Sequence, residues 1–112
     1  MFKMKLQPEY YNFILNGTKR IEIRLYDEKR QQIRIGDTIE FFKLSDLSES
    51  FIAKVIDLLR YDTFEDMFND FDISILADKS MTKEELINVL EQFYSKEEQE
   101  KYGVLGIRIE LL

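Results

Sequence analysis

Residues 17 to 24 hold the side chains whose types and spacing favour chemistry. The segment reads Gly-Thr-Lys-Arg-Ile-Glu-Ile-Arg, so Lys19, Glu22 and Arg24 fall within six positions directly after a glycine turn. The chain has no histidine and no cysteine, which removes the commonest general base and the best thiol nucleophile. Two cations around one carboxylate are typical of an anion-binding or proton-transfer cluster. The other interpretation is an ion pair on the surface, worth roughly 0–1 kcal/mol.

The composition predicts one domain that spans residues 1–112. Hydrophobic residues make up 45% of the chain, enough for a packed core. No apolar run reaches the length of a signal peptide or a membrane span, so we expect a cytoplasmic protein with no membrane partner. Residues 1–60 are slightly basic, whereas residues 61–112 carry thirteen acidic against five basic side chains. Because nucleic acid needs local positive charge, only a small basic rim near residues 19–34 is expected to attract it.

Alternating hydrophobicity predicts that the cluster lies on a strand. From Lys19 to Tyr26 polar and apolar residues alternate, so the isoleucines should enter the core. The opposite, polar face comprises Arg20, Glu22, Arg24 and Tyr26. A helix that starts near Pro8 precedes this strand, and Gly17 suits the left-handed position that ends such a helix. Lys19 would then reach the face of Glu22 from the turn by its flexible side chain.

The remaining elements predict the fold class. Further strands are expected at residues 2–6, 38–42, 51–60 and 105–111. The segment 51–60 is apolar on both faces, which favours a central strand. Capping residues Thr63, Thr82 and Ser95 predict three helices in the second half. About five strands with helices inserted irregularly between them favour an α+β fold, and short strands at both ends of the chain favour a small barrel.

The pattern G-x-K-x-x-E-x-R, formed by Gly17, Lys19, Glu22 and Arg24, resembles the mark of the ASCH domain family. The Gly36-Asp37 turn and the closing segment 102–107 are similar to those of short ASCH proteins. The resemblance covers essentially the whole chain. It implies a PUA-like β-barrel with flanking helices and a cleft lined by the motif. Members of the family are proposed to bind RNA or nucleotides, and one subgroup hydrolyses acetylcytidine with a lysine, a threonine and a glutamate.

The sequence departs from that subgroup at two of its three catalytic positions. Lys19 matches the lysine, but Glu22 stands where the threonine would be, and Lys79 lies near the position of the downstream glutamate. If the protein is an enzyme, Lys19 would act as a base after its pKa falls toward neutrality. Alternatively, Glu22 would be the base and Lys19 would stabilise an oxyanion.

The leading hypothesis is therefore a binding module for short single-stranded RNA or a nucleotide-like small molecule. The residues expected to contact the ligand are Gly17, Lys19, Glu22, Arg24, Tyr26 and Arg30. The cations would hold phosphate, while Glu22 would hydrogen-bond a base or ribose. The first alternative is a small hydrolase that acts on a modified nucleoside amide or on RNA, with Lys19 and Glu22 as catalytic residues. The second is a protein-interaction domain. We expect no metal and no cofactor, and nothing in the sequence predicts an oligomeric state.

Overall fold

The computed structural model describes residues 1–112, which form one sheet flanked by helices. The five strands are β1 (Phe2–Leu6), β2 (Ile21–Leu25), β3 (Thr38–Lys43), β4 (Ser50–Tyr61) and β5 (Val104–Leu111). The five helices are α1 (Pro8–Leu15), α2 (Phe64–Asp70), α3 (Ile73–Leu76), α4 (Lys83–Phe93) and α5 (Lys96–Tyr102), and a short 3₁₀ turn spans Arg30–Gln32. The longest helix has 11 residues, and none of the helices is long and apolar enough to cross a membrane.

The strands lie in the order β1-β3-β4-β5-β2, with β1 parallel to β3 and every other pair antiparallel. β1 and β2 are the two edges of this order, yet the Arg24 guanidinium on β2 donates to the Lys5 carbonyl on β1 at 3.0 Å. The sheet must therefore curl until its edges face each other. The prediction of an α+β fold with a barrel-like sheet of about five strands is confirmed, and so is the central place of β4.

The curled sheet has a core on each face. The concave core is built on residues such as Phe41, Val55 and Ile107, all fully buried. The second core lies between the sheet and the helices, where Ile21 packs with Phe68 and their neighbours. Alternation along β2 therefore sends its apolar residues to the helix side and its polar residues to the concave side, because opposite neighbours in an antiparallel pair share a face.

The helix ends follow the capping signals of the sequence. Thr82 and Ser95 each form a complete capping box with the glutamate three residues later. Thr63 accepts from the backbone N–H of Asp66 at the start of α2. Two elements were not predicted: α3 and the 3₁₀ turn, which are too short to carry a periodic signal. The predicted strand at residues 19–26 is shorter in the structure, because Lys19 and Arg20 belong to the turn before β2.

Candidate functional site

The turn before β2 is fixed by the end of α1. Gly17 adopts a φ of +88°, a left-handed conformation that glycine reaches without strain. Its N–H donates to Ile14 O at 3.0 Å and the N–H of Thr18 donates to Phe13 O at 3.1 Å, which is the Schellman arrangement. The Thr18 hydroxyl is also held in this turn, by Phe13 O and the Asn16 side chain. The turn thus reverses the chain and directs Lys19 inward.

Lys19 is buried, with 3% of its surface exposed, and every hydrogen of its ammonium group has an acceptor nearby. Its Nζ donates to Ile21 O at 2.6 Å and to Leu76 O at 2.7 Å, and it lies 3.4 Å from Glu22 Oε1. The contact with Leu76 ties the turn to the end of α3. Burial lowers the pKa of Lys19, while the Glu22 carboxylate acts in the opposite direction and limits this decrease.

Glu22 joins the two cations. Its Oε2 accepts from Arg24 Nε at 2.8 Å, while its Oε1 faces Lys19. Burial alone would raise the pKa of Glu22, but the charges of Arg24 and Lys19 outweigh burial and lower it. Burial likewise opposes the charge of Arg24, and the attraction of Glu22 more than compensates, so its pKa is raised. The three side chains form one largely buried cluster with a formal net charge of +1.

A cavity of about 180 Å³ lies over this cluster, in the gap between the two edge strands. Its floor contains Lys19, Glu22 and Arg24. β1 and its following turn contribute one side, including Lys5, and α4 with the residue after it contributes the other. Nine of the fourteen lining residues are hydrophobic, so the cluster sits at the base of a mostly apolar cleft. Such a lining with a few convergent polar groups is typical of small-ligand sites.

Three aromatic side chains surround the cleft: Tyr10 from α1, and Phe93 and Tyr94 at the end of α4. Phe93 is 57% exposed, so its ring is available to a ligand. Burial raises the pKa of Tyr94, whose hydroxyl interacts with the Arg24 guanidinium.

The Tyr10 hydroxyl is buried in the cleft without a hydrogen-bond partner. Burial is the largest cause that raises the pKa of Tyr10 to about 12, and the charges of Glu9 and Glu22 add to it. The phenol therefore stays protonated at neutral pH and can both donate and accept. A buried polar group with no partner costs about 1–3 kcal/mol, unless a ligand or water supplies one. Tyr10 is thus the cleft residue whose hydroxyl makes no hydrogen bond within the protein.

The structure brings together only part of the residue set predicted from the sequence. Lys19, Glu22 and Arg24 meet in the cleft, whereas Gly17 shapes the turn and does not line the cavity. Tyr26 lies beyond the end of β2, where the Arg60 guanidinium stacks on its ring with Cζ 3.9 Å from the ring centroid.

Arg30 is also outside the cavity lining and forms an ion pair with Asp27 at 3.1 Å. Its positive charge nevertheless acts on the Tyr94 hydroxyl at the cleft wall. The predicted ligand contacts thus separate into a central trio, two residues at its margin, and Gly17 in the preceding turn. Sequence reasoning missed Phe93 and Tyr94 in the wall because no local pattern tells which end of α4 meets β2.

Comparisons with known proteins identify the family and the fold. The ASCH domain model matches residues 4–112. The hypothetical protein PH0355 is 39% identical over 99% of this chain and 98% of its own, with a TM-score of 0.87. Protein PF0455 from Pyrococcus furiosus is 36% identical over 99% and 96%, with a TM-score of 0.79. A mutant of ZmASCH from Zymomonas mobilis is 11% identical and shares the fold, with a TM-score of 0.67 over 96% of this chain and 66% of its own. No curated protein matches the sequence. The chain belongs to the ASCH domain family, which is PUA-like in fold.

Proposed function

We propose that this protein binds short single-stranded RNA or a nucleotide-like ligand by accepting one base in the cleft above Lys19, Glu22 and Arg24. The observation that carries the proposal is the Tyr10 hydroxyl, which is buried and makes no hydrogen bond within the protein, on a residue that lines the cavity. A base edge supplies both donors and acceptors for such a group. The class of ligand is supported by membership of a family to which RNA binding is attributed.

The size of the cavity sets the size of the group that enters it. A volume of about 180 Å³ is smaller than the roughly 300–1,000 Å³ of pockets that enclose a drug-sized ligand. The cleft therefore suits a single planar ring, with the sugar and phosphate left outside. The exposed ring of Phe93 at the cleft mouth offers a stacking surface, and a stacked base typically contributes about 1–3 kcal/mol.

The charges around the cleft fit this arrangement. Glu22 occupies one nitrogen of the Arg24 guanidinium and the Lys5 carbonyl occupies a second, which leaves Nη1 free of carboxylate and main-chain acceptors. The ammonium group of Lys5 is exposed at the rim. Because Arg24 donates to the Lys5 carbonyl, its guanidinium lies beside β1 at the rim, and together with the Lys5 ammonium it can neutralise phosphate groups next to the bound base.

The same geometry gives a hydrolase less support. The Lys19 ammonium donates to Ile21 O and Leu76 O and is paired with Glu22, so protein groups already occupy it. Both oxygens of Glu22 face cations. The Thr18 hydroxyl is held in its turn. Although burial lowers the pKa of Lys19 in the direction that a base requires, the cleft contains no serine or threonine to act as nucleophile.

The test replaces the Tyr10 hydroxyl while it keeps the ring. Tyr10→Phe should raise the free energy of unfolding by about 1 kcal/mol, because it removes an unpartnered polar group. It should also weaken RNA binding about threefold to tenfold, because the bound base loses a hydrogen bond. Fluorescence anisotropy with labelled RNA hexanucleotides of each base, at low salt, measures the affinity, and urea denaturation measures the stability.

The matched control is Tyr11→Phe, the same chemical change one residue further along α1. Tyr11 packs on Phe51 beneath β3 and β4 and does not line the cleft, so RNA affinity should stay at the wild-type value. If the wild-type protein binds none of the hexanucleotides, the proposal is wrong. A more stable Tyr10→Phe variant with unchanged RNA affinity would show that the hydroxyl does not contact the ligand.

A further inference from the structure

A second groove lies beyond the end of β2, outside the cleft. It has a volume of about 540 Å³ and runs between the end of β4 and the end of α5. Tyr26, Arg60 and Gln99 line it, together with one further basic residue, Lys101, and two acidic residues, Asp62 and Glu100. Arg60 and Lys101 are matched by Asp62 and Glu100, so the groove has no net charge. This balance favours a neutral planar group over a phosphate.

The Arg60 guanidinium is held in place by the ring of Tyr26, in a position where a base could stack on it. Its Cζ lies 3.9 Å from the centroid of the Tyr26 ring, which holds the planar group against an aromatic face. Arg60 is exposed and takes part in none of the four ion pairs of the protein. Tyr26 therefore covers one face of the guanidinium, and the exposed side chain remains accessible to a second ring. Arginine planes are common stacking partners for unpaired bases.

Gln99, which lines this groove and also a neighbouring pocket between α2, α4 and α5, has a side-chain amide without a hydrogen-bond partner. Only 7% of its surface is exposed, and its Nε2 makes no hydrogen bond. Its backbone is fixed within α5, where the N–H of Gly103 donates to Gln99 O at 2.8 Å. A side-chain amide offers both donor and acceptor atoms, as the edge of a base requires. A buried amide without a partner is costly in the free protein, as the Tyr10 hydroxyl is in the cleft.

The register of the sheet connects the groove with the cleft. Leu105 on β5 is opposite Arg24 on β2 and also opposite Arg60 on β4. Residues that face each other across antiparallel strands project to the same face, so both arginines lie on the concave side. Two strand spacings separate their backbones by about 10 Å. A short single strand can therefore reach both sites.

We propose that this groove, defined by Tyr26, Arg60 and Gln99, binds a second base of the same RNA strand whose first base occupies the cleft. The inference rests on the proposed function of the cleft. The base stacks on the open face of Arg60, and the Gln99 amide hydrogen-bonds its edge. The cleft and the groove together would therefore bind two bases of one oligonucleotide, whereas the cleft alone binds one base.

Two substitutions test this inference without removing buried contacts. Arg60→Ala removes the stacking plane, and Gln99→Leu replaces the unpartnered amide with an apolar side chain of similar size, which should keep or raise the stability. Each should weaken binding of labelled RNA hexanucleotides at least about fivefold. Binding of nucleoside monophosphates, followed by calorimetric titration, should not change, because a single nucleotide occupies the cleft alone. Arg20→Ala is the control, since Arg20 is exposed and lines neither site.

The outcomes separate the two proposals. If both variants bind hexanucleotides with wild-type affinity while the wild-type protein still binds monophosphates, the groove is not an RNA site and the cleft proposal stands. Equal losses for hexanucleotides and monophosphates would also overturn the inference, because the groove would then act on the cleft itself. If the wild-type protein binds neither probe, both proposals fail together.

Discussion

Glu22 is the residue on which the cleft depends, because it lies between two buried cations. Its oxygens are 3.4 Å from Lys19 Nζ and 2.8 Å from Arg24 Nε. Buried charges are tolerated only when they are paired and hydrogen-bonded, and removal of one partner leaves the other uncompensated. Lys19 and Arg24 can share the base of the cleft only while Glu22 is ionised. The carboxylate thus holds the two cations in place, and its role in the free protein is structural.

This role predicts an acid-sensitive contribution to stability. Lys19 and Arg24 keep the pKa of Glu22 below its ordinary value of 4.5, so the contribution of Glu22 is complete above about pH 4.5. It is lost as the pH falls through the native pKa. Glu22→Gln should lower the free energy of unfolding by about 3 kcal/mol at neutral pH. The variant should also lose less stability than the wild type between about pH 7 and about pH 3.

Urea denaturation at several pH values measures both effects. Glu110→Gln is the control, because Glu110 is exposed and forms no ion pair. It should reproduce the wild-type dependence on pH. Parallel pH profiles for Glu22→Gln and the wild type would contradict the assignment of this carboxylate as the ionised centre of the cluster.

At the same scale, the sequence predicted the shared face of Glu22 and Arg24, because strand alternation is a local property. It did not predict that the Lys19 ammonium would be fully occupied by acceptors within the protein. One of its acceptors, Leu76 O, lies 57 residues away at the end of α3, a helix too short to be recognised from its pattern. The partner of a buried ammonium group is decided by packing between distant segments.

At the scale of elements, the α1 turn determines where the cluster begins. Gly17 has a φ of +88°, and a Cβ at this position would meet no atom within 4 Å. Gly17→Ala should therefore cost about 1–2 kcal/mol of unfolding free energy through backbone strain alone. Gly17→Asn should cost less, because asparagine adopts the left-handed conformation more readily.

Urea denaturation and RNA titration of the two Gly17 variants distinguish an effect on the backbone conformation of the turn from a direct contact of Gly17 with RNA. Because Gly17 lies outside the cleft, both variants should bind RNA hexanucleotides like the wild type under conditions where they are folded. Loss of RNA binding by Gly17→Ala with unchanged stability would show that this glycine contacts the ligand.

The helix caps and this turn were predictable from the sequence, since each is set by a few neighbouring residues. The contribution of α4 to the cleft was not, because it depends on how the helix docks against the edge of the sheet.

At the scale of the whole molecule, the curl of the sheet creates the site and the charge distribution limits its reach. β1 and β2 are far apart in the strand order, and the cleft exists only because the sheet brings these edges together. The parallel pairing of β1 with β3 that begins this curl has no signature in the sequence.

Beside the cleft, the segment from Lys83 to Lys101 carries six glutamates against three lysines. Long RNA would meet this acidic flank, so the favourable contacts are confined to the phosphates nearest the cleft.

A small number of phosphate contacts predicts a shallow dependence of RNA affinity on salt. With about two phosphates neutralised, by Lys5 and Arg24, the logarithm of the association constant should fall with a slope of about −1.4 against the logarithm of the salt concentration. This corresponds to roughly a sevenfold loss of affinity between about 50 and 200 mM salt.

Lys5→Ala removes an exposed cation at the rim and leaves the main-chain carbonyl to which Arg24 donates, so the slope should become shallower by about 0.7. Lys3→Ala, which removes an exposed lysine from the same strand outside the cavity lining, should leave the slope unchanged. Anisotropy titrations across this salt range measure the slopes, and equal slopes for the two variants would place the phosphates away from the cleft mouth.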